Sequence, residues 1–190
     1  MECDIRKFFA SIDHEVLISA LEKHIKDEDV VWLHEKVIGS FNSGIECKGL
    51  PLGNLTSQLL VNIYMNEFDQ YIKQELRVRY YIRYADDFVI LQNTKIELEG
   101  LLFKINLFLN NNLKLSLHLS KVHIKTISSG VDFLGWMHFP NHRVLRTSTK
   151  RRMFKNLKEN DNFKIKQSYI GLLKHGNAYK LRKQIIGTML

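Results

Sequence analysis

The chain has 190 residues, 45% of them apolar and only 2 of them proline; this composition supports one domain or two small ones and excludes a disordered chain. Its 2 cysteines exclude a disulfide framework and a thiolate zinc site, and they fit a reducing compartment. No run of about 18 apolar residues is present, and charges throughout residues 1–15 argue against a signal peptide, so we expect a cytoplasmic protein without a membrane span.

The formal charge of +8 is concentrated near the C-terminus. Residues 1–140 contain 15 Lys and Arg against 18 Asp and Glu, whereas residues 141–190 contain 13 against 2. A basic block of this kind is typical of a polyanion partner, of which nucleic acid is the commonest. The alternative is a solvated basic face on a helical subdomain, and composition alone does not separate the two.

The first part of the chain predicts one strand and three helices. They cover residues 1–7, 14–25, 28–41 and 54–76. Asp4 lies at or near the end of the strand, and Asp13 is placed to cap the first helix. A loop over residues 42–53 precedes the third helix, which begins at Asn54 or Thr56. The expected inner face of that helix comprises Leu59, Leu60, Ile63, Phe68 and Ile72.

The centre of the chain, residues 80–91, predicts a β-hairpin with two adjacent carboxylates at its tip. β-Branched and aromatic residues flank Asp86 and Asp87, which suit a turn. Neighbours on a strand point to opposite faces, whereas a turn allows both carboxylates to face one ion. We expect both strands to be buried, and a buried carboxylate is costly unless it is paired or coordinates a metal. The pattern therefore raises a metal-site hypothesis; the alternative is a solvated, inert hairpin tip.

The remaining residues predict a helix, a second pair of strands and a helical C-terminal region. The helix covers residues 96–111 and is expected to stop at the three asparagines that begin at Asn110. The strands cover residues 115–127 and 131–139. Three further helices cover residues 148–159, 165–175 and 177–189. The whole is an α+β pattern, with a mainly antiparallel sheet flanked by helices.

A two-metal site for phosphoryl transfer needs carboxylates from separate chain segments at one place. Asp4 on the first strand and Asp86 and Asp87 at the hairpin tip are such carboxylates. Magnesium suits them, because it prefers oxygen ligands and keeps waters and substrate phosphates in its shell. The three side chains converge only if the two strands are neighbours in one sheet, which the spacing alone does not show.

Five motifs in order along residues 1–140 resemble those of the reverse transcriptases, specifically the prokaryotic group that includes group II intron, retron and diversity-generating retroelement enzymes. They begin at Asp4 (DIRKFFASIDH), Gly49 (GLPLGNLTSQ), Tyr84 (YADD), Leu117 (LHLSK) and Phe133 (FLGW). The resemblance implies an RNA-directed DNA polymerase whose palm covers residues 1–140, followed by a basic, helical, thumb-like region over residues 141–190.

The resemblance also implies the chemistry of the site. Asp4, Asp86 and Asp87 would bind two Mg²⁺ ions, with the Ile5 carbonyl as a further ligand and Mn²⁺ as a substitute ion. Lys121 would protonate or stabilise the leaving pyrophosphate; the alternative is a surface lysine. The implied partners are an RNA template, a DNA primer or cDNA, and dNTPs.

Further residues receive roles by the same resemblance. Phe9 would exclude a 2′-hydroxyl and so select deoxynucleotides, the alternative being one more core aromatic. The nucleotide-binding residues would be Phe9, Leu52, Gly53 and Gln58. The primer grip would be Phe133, Leu134, Gly135 and Trp136. Basic residues along one predicted helix could follow a nucleic-acid backbone: Lys150, Arg151, Arg152, Lys155 and Lys158.

The chain departs from the family pattern at two places. Most of the family has Pro-Gln-Gly in the nucleotide loop, whereas this chain has Pro51-Leu52-Gly53, followed by Ser57-Gln58. This combination resembles the diversity-generating branch, and nucleotide selection by an aliphatic Leu52 is expected to depend more on shape. The family's fingers lie upstream of the first motif, so we also expect a missing fingers segment or an accessory protein to complete the enzyme.

Two rivals to a polymerase stay open at this point. The first is a catalytically silent, nucleic-acid-binding remnant of a reverse transcriptase, which the missing fingers favour and the three carboxylates oppose. The second is another palm-fold enzyme, such as a nucleotidyl cyclase, which the lysine and primer-grip motifs and the basic C-terminal block oppose.

Overall fold

The computed structural model describes residues 1–41, 44–160 and 162–187. The chain divides into two compact units, Met1–Ile124 and Lys125–Leu190. This boundary precedes residue 140, because the strands that follow Lys125 group with the C-terminal helices. The assignment of residues 1–140 to a palm remains a prediction.

The first unit contains a three-stranded antiparallel sheet, in the order β1-β3-β2, packed with helices. Its strands are β1 (Glu2–Asp4), β2 (Tyr80–Tyr84) and β3 (Asp87–Leu91). Its helices are α1 (Phe8–Ser11), α2 (His14–Glu22), α3 (Glu28–Gly39), α4 (Leu55–Gln70) and α5 (Lys95–Leu113). A π-helical turn, Tyr71–Glu75, continues α4. The predicted strand, hairpin and helices of this unit are thereby confirmed.

Local signals account for the helix ends. The Asp13 carboxylate accepts a hydrogen bond from the Val16 backbone N–H at the start of α2, as predicted. A capping box formed by Thr94 and Glu97 starts α5. The predicted end at Asn111, within the three asparagines, is two residues early, because α5 continues to Leu113 and ends where Lys114 takes a left-handed backbone conformation (φ 49°).

The core of the first unit is formed by the sheet and the helices around it, and α4 contributes many of its side chains. The buried side chains along α4 are Ser57, Leu60, Val61, Tyr64, Met65 and Phe68. Leu59 is 62% exposed, so its predicted place on the inner face is wrong; the buried stripe runs one position later, through Leu60 and Tyr64. The Tyr64 hydroxyl donates to the Leu113 carbonyl, which ties α4 to the end of α5.

The expectation that both hairpin strands are buried holds only for β3. The β2 side chains Tyr80, Ile82 and Tyr84 are 55%, 54% and 64% exposed. β2 is an edge strand, and only its other face, with Tyr81 and Arg83, packs toward α4. One face of the sheet therefore presents aromatic and aliphatic side chains beside the hairpin tip.

The prediction of a strand over residues 115–127 is wrong. The segment pairs with β1 only at isolated positions, where Ile5 faces Leu117 and Glu2 faces His123. Between these two positions the chain forms a 3₁₀ turn, Leu119–Lys121. This turn, which contains Lys121, interrupts the pairing of the segment with β1.

The second unit combines a small antiparallel sheet with three helices. Its strands are β4 (Val131–Phe133), β5 (Trp136–His138) and β6 (Arg143–Leu145), and its helices are α6 (Thr147–Glu159), α7 (Phe163–Leu173) and α8 (Tyr179–Gly187). The predicted helices are confirmed, although the predicted end of the last at Met189 lies outside the described residues. Its core consists of Trp136, Leu145, Met153, Leu173, Ala178 and Ile185.

The predicted single strand over residues 131–139 is two strands. Leu134 and Gly135 both have positive φ (52° and 80°), and they form a two-residue turn between Phe133 and Trp136. None of the helices in the described ranges is both long and apolar enough to cross a membrane.

Candidate active site

The two strands that carry the predicted carboxylates are neighbours in one sheet. β1 and β3 pair in antiparallel register, with Asp4 directly opposite Asp87. The Ile5 backbone N–H donates to the Asp86 carbonyl at 3.3 Å, which holds the hairpin tip against the end of β1. The Asp4 side chain is only 15% exposed, and Asp86 and Asp87 are partly buried. The structure thus brings the three carboxylates together.

The proximity of these carboxylates changes how they ionise. The pKa of Asp87 is raised to about 6, first by burial and then by the negative charges of Asp86 and Asp4, while Lys121 acts in the opposite direction. Burial is also the main cause that raises the pKa of Asp86, with Asp4 adding to it. Mutual repulsion of this kind is reduced when a cation is bound among the three groups.

Lys121 forms an ion pair with the Asp4 carboxylate. Its ammonium group donates to Asp4 Oδ2 at 2.7 Å, across 117 positions of sequence. The 3₁₀ turn places it there, with the Lys121 N–H bonded to the His118 carbonyl at 2.7 Å and the His118 N–H bonded to the Asp4 carbonyl at 2.8 Å. The hydrogen bond to Asp4 raises the pKa of Lys121, so the side chain stays protonated.

Among residues 1–41, 44–160 and 162–187, no three His, Cys, Asp or Glu side chains form a ready metal cage. The Asp4 carboxylate is instead paired with the Lys121 ammonium group. The donor set nevertheless suits magnesium, since it consists of carboxylate oxygens at the end of a sheet. A divalent ion bound here would compete with the Lys121 ammonium group for Asp4 Oδ2.

Arg83 and Asp69, which sequence reasoning missed, hold the hairpin tip. Arg83 on β2 donates to both carboxylate oxygens of Asp69 on α4, at 2.8 and 2.6 Å, and its third contact is to the Ala85 carbonyl at 3.1 Å. The Tyr81 hydroxyl also donates to Asp69, at 2.5 Å. Ala85 has a left-handed backbone (φ 52°), which is uncommon for alanine, and Arg83 stabilises it. An arginine three residues before a carboxylate pair was the available signal, but its partner on α4 was not visible.

Phe9 and the predicted nucleotide loop lie next to one another. The Leu50 N–H donates to the Phe9 carbonyl at 2.8 Å, and the Gly49 N–H donates to the Ile12 carbonyl at 2.8 Å. The Phe9 ring is partly buried and packs edge-on against Phe8 at 5.5 Å. These two hydrogen bonds therefore hold the start of the predicted nucleotide loop beside the helix that carries Phe9.

The predicted nucleotide-binding side chains of the loop face solvent. Leu52 is 77% exposed, and Gly53 and Gln58 are exposed as well. Ser57, in contrast, is 1% exposed, and its hydroxyl has no hydrogen-bond partner among the described residues. Leu52 and Gln58 are available to a ligand, whereas the Ser57 hydroxyl is enclosed.

The predicted primer-grip residues form the β4–β5 turn of the second unit. Phe133 and Trp136 are buried at the two ends of the turn, and Leu134 is 50% exposed at its tip beside Gly135. The turn therefore offers Leu134 and its backbone to a partner, while Phe133 and Trp136 hold it in place.

The basic residues predicted to contact nucleic acid lie on α6, and all five are exposed. Four of them recur at helical spacing around Phe154 and line one groove with Thr147: Lys150, Arg151, Lys155 and Lys158. Arg152 is not among the residues that line this groove. The interpretation of one continuous basic face thus applies to four of the five residues.

Comparison with known proteins identifies similar sequences. A family profile described as reverse transcriptase (RNA-dependent DNA polymerase) matches residues 1–138. The chain is similar to Protein YkfC of Escherichia coli (strain K12), with 29% identity over 187 residues that cover 79% of this chain and 48% of that protein. It is similar to the group II intron-encoded protein LtrA of Lactococcus lactis subsp. cremoris, with 25% identity over 80% of this chain and 36% of that protein.

A third similar protein is the putative COX1/OXI3 intron 2 protein of Saccharomyces cerevisiae, with 25% identity over 86% of this chain and 26% of that protein. The chain spans less than half the length of each of these curated relatives.

Proposed function

Because this chain belongs to the reverse transcriptase family, we propose that it catalyses RNA-directed DNA synthesis by transfer of dNTPs to a primer 3′-hydroxyl on an RNA template. The observation that carries the proposal is the register of β1 and β3, which pairs Asp4 with Asp87 beside Asp86. In this proposal residues 1–140 form the palm and residues 141–190 a thumb-like, basic region.

Asp4, Asp86 and Asp87 would hold two Mg²⁺ ions, with the Ile5 carbonyl as a further ligand and Mn²⁺ able to substitute. Bound metal would activate the primer hydroxyl and stabilise charge on the phosphates. The reaction forms a bond between the primer 3′-oxygen and the α-phosphorus and breaks the bond between that phosphorus and pyrophosphate. Most of the rate would come from positioning and electrostatics.

Lys121 would serve the leaving group. Its ammonium group, kept protonated by Asp4, would move from Asp4 to the pyrophosphate oxygen and donate a proton or a hydrogen bond there. The contact with Asp4 supports this role, because it keeps the ammonium group at the carboxylate cluster before substrate binds.

Phe9 and the loop that contains Leu52 and Gly53 would form the nucleotide pocket, with Gln58 at its edge. The hydrogen bond from Leu50 to the Phe9 carbonyl supports this, because it fixes the loop beside the ring. A ring in that place would exclude a ribonucleotide 2′-hydroxyl. Replacing Phe9 with Ala should therefore increase incorporation of ribonucleotides relative to dNTPs in primer extension.

The primer and template would contact three exposed surfaces. The Tyr80, Ile82 and Tyr84 face of β2 lies beside Asp87 and would support the primer end. The β4–β5 turn with Leu134 would act as the primer grip. The groove on α6 would follow backbone phosphates with Lys150, Arg151, Lys155 and Lys158. The pattern of Leu52 followed by Ser57-Gln58 favours the diversity-generating branch of the family. A fingers segment or an accessory protein would be a further partner.

Primer extension on an RNA template with Mg²⁺ and four dNTPs tests the proposal. The chain is compared with a form lengthened upstream by its natural coding sequence where one exists, and each form is compared with its Asp86→Asn variant. Extension by either form that Asp86→Asn abolishes supports the proposal. Duplex binding without extension by either form would overturn it in favour of the silent remnant.

A further inference from the structure

In the second unit, the turn between β5 and β6 is held against the turn between α7 and α8 by hydrogen bonds. We call this junction of the two turns the joint. The β5–β6 turn is closed by a hydrogen bond from the Phe139 N–H to the His142 carbonyl at 2.8 Å. The α7–α8 turn is attached to it at Asn177, whose N–H donates to the Arg143 carbonyl at 2.8 Å and whose Oδ1 accepts from the Arg143 N–H at 3.4 Å. This reciprocal pair holds the two turns side by side.

Gly176 makes the joint possible. A Cβ added to this residue would lie 2.1 Å from Cζ3 of the buried Trp136 ring, closer than any side chain tolerates. The α7–α8 turn can therefore approach the small sheet only with glycine at this position. The position of the two turns therefore depends on the close approach of the Gly176 backbone to the Trp136 ring.

The joint gathers hydrogen-bond donors on one shallow surface. Beyond Phe139 and Gly176, every residue that lines it carries a side-chain nitrogen: His138, His142, Arg143, Lys174, His175 and Asn177. No carboxylate is among these lining residues of the described chain. Arg143 and Lys174 supply positive charge, and the His142 and His175 imidazoles and the Asn177 amide supply further N–H donors. The His138 imidazole already contacts the Phe133 carbonyl at 3.3 Å. Such a set suits the oxygens of a phosphate.

An aromatic platform lies on the same surface. The rings of Phe139 and His142 are stacked, with centroids 4.8 Å apart and an interplanar angle of 12°. Gly130 lies close to Phe139, because a Cβ there would be 3.1 Å from the ring. His142 is exposed, so the stack ends in an accessible imidazole face.

We propose that this surface, the turn joint, binds single-stranded nucleic acid, with a backbone phosphate on Arg143 and Lys174 and an unpaired base stacked on His142. Cations beside a stacking face are the combination that holds single strands, since a base inside a duplex is not free to stack on a protein ring. The α6 groove has a different lining, four basic residues around Phe154, and it suits a duplex backbone. The inference rests on the proposed function in taking nucleic acid as the partner.

Binding of fluorescein-labelled 12-nucleotide RNA and of a blunt RNA–DNA duplex, followed by anisotropy, tests the turn joint. We expect Lys174→Ala combined with His142→Ala to weaken single-strand binding about tenfold or more, with less than a threefold change for duplex. The salt dependence of single-strand binding should also fall, by about one unit of slope. Lys164→Ala, an exposed α7 lysine outside the joint, is the matched control and should change neither affinity.

Several outcomes would overturn the proposal. These are equal losses for single strand and duplex, no loss for either, or an equal loss in Lys164→Ala. Lys155→Ala in the α6 groove separates this inference from the proposed function, since it should weaken duplex binding while the turn joint still holds single strands. Circular dichroism of each variant checks that the fold is retained.

Discussion

Asp87→Asn should stabilise the metal-free protein while it removes magnesium binding. The pKa of Asp87 lies at about 6 in the folded protein against 3.8 as its ordinary value. Since the folded value is the higher one, ionisation of Asp87 opposes folding. Its contribution to stability is fully present below about pH 4 and is lost as the pH rises through about 6.

The size of this effect follows from the pKa difference. A difference of about 2 pKa units corresponds to about 3 kcal/mol, and because Asp87 is partly exposed, solvent screening lowers this to roughly 1–3 kcal/mol. An asparagine has no charge to bury or to repel Asp4 and Asp86. At pH 8 in EDTA, the variant should therefore have a free energy of unfolding higher than that of wild type by roughly 1–3 kcal/mol, and at pH 4 the two should be nearly equal.

Urea unfolding followed by far-UV circular dichroism measures both values. Saturating Mg²⁺, at about a hundredfold above its dissociation constant, should add about 2.7 kcal/mol to wild type at pH 8 and almost nothing to Asp87→Asn. Glu46→Gln, which changes an exposed loop carboxylate, is the matched control and should follow wild type. A metal-free Asp87→Asn variant that is less stable than wild type at pH 8 would refute the repulsion argument, and an equal Mg²⁺ response in both proteins would refute the metal assignment.

Three further substitutions test the surroundings of the carboxylates. Arg83→Lys removes the paired hydrogen bonds that hold the hairpin tip; it should destabilise the protein by about 2–4 kcal/mol and lower the primer-extension rate and Mg²⁺ affinity together. The exposed Arg79→Lys should do neither, and equal effects of the two would contradict a positioning role. Lys121→Met frees Asp4, so calorimetry should show tighter Mg²⁺ binding while the extension rate falls by about a hundredfold; weaker Mg²⁺ binding would count against competition for Asp4. Ser57→Ala removes an enclosed hydroxyl that has no partner in the described part of the chain, and it should raise the free energy of unfolding by about 1 kcal/mol in urea titrations; a loss of stability would reveal a hydrogen bond.

Prediction from the sequence succeeded where the signal is local. Helix periodicity, the Asp13 cap and the turn at the hairpin tip each depend on residues a few positions apart, and the structure confirms them. Prediction from the sequence failed where contacts with a distant segment decide the local structure. The segment after Leu115 has strand-like composition, yet the isolated bridges to β1 and the 3₁₀ turn replace a regular strand.

The sequence by itself identified the candidate site residues and the elements on which they lie: one carboxylate at the end of β1, two at a hairpin tip, and a basic C-terminal block, in the order of the family's motifs. Only the tertiary structure decided that Asp4 pairs with Asp87, that Lys121 lies on Asp4, and that Asp69 supports the tip through Arg83. The physical reason is that these contacts join segments up to 117 positions apart, and strand order and register, rather than local spacing, bring such segments together.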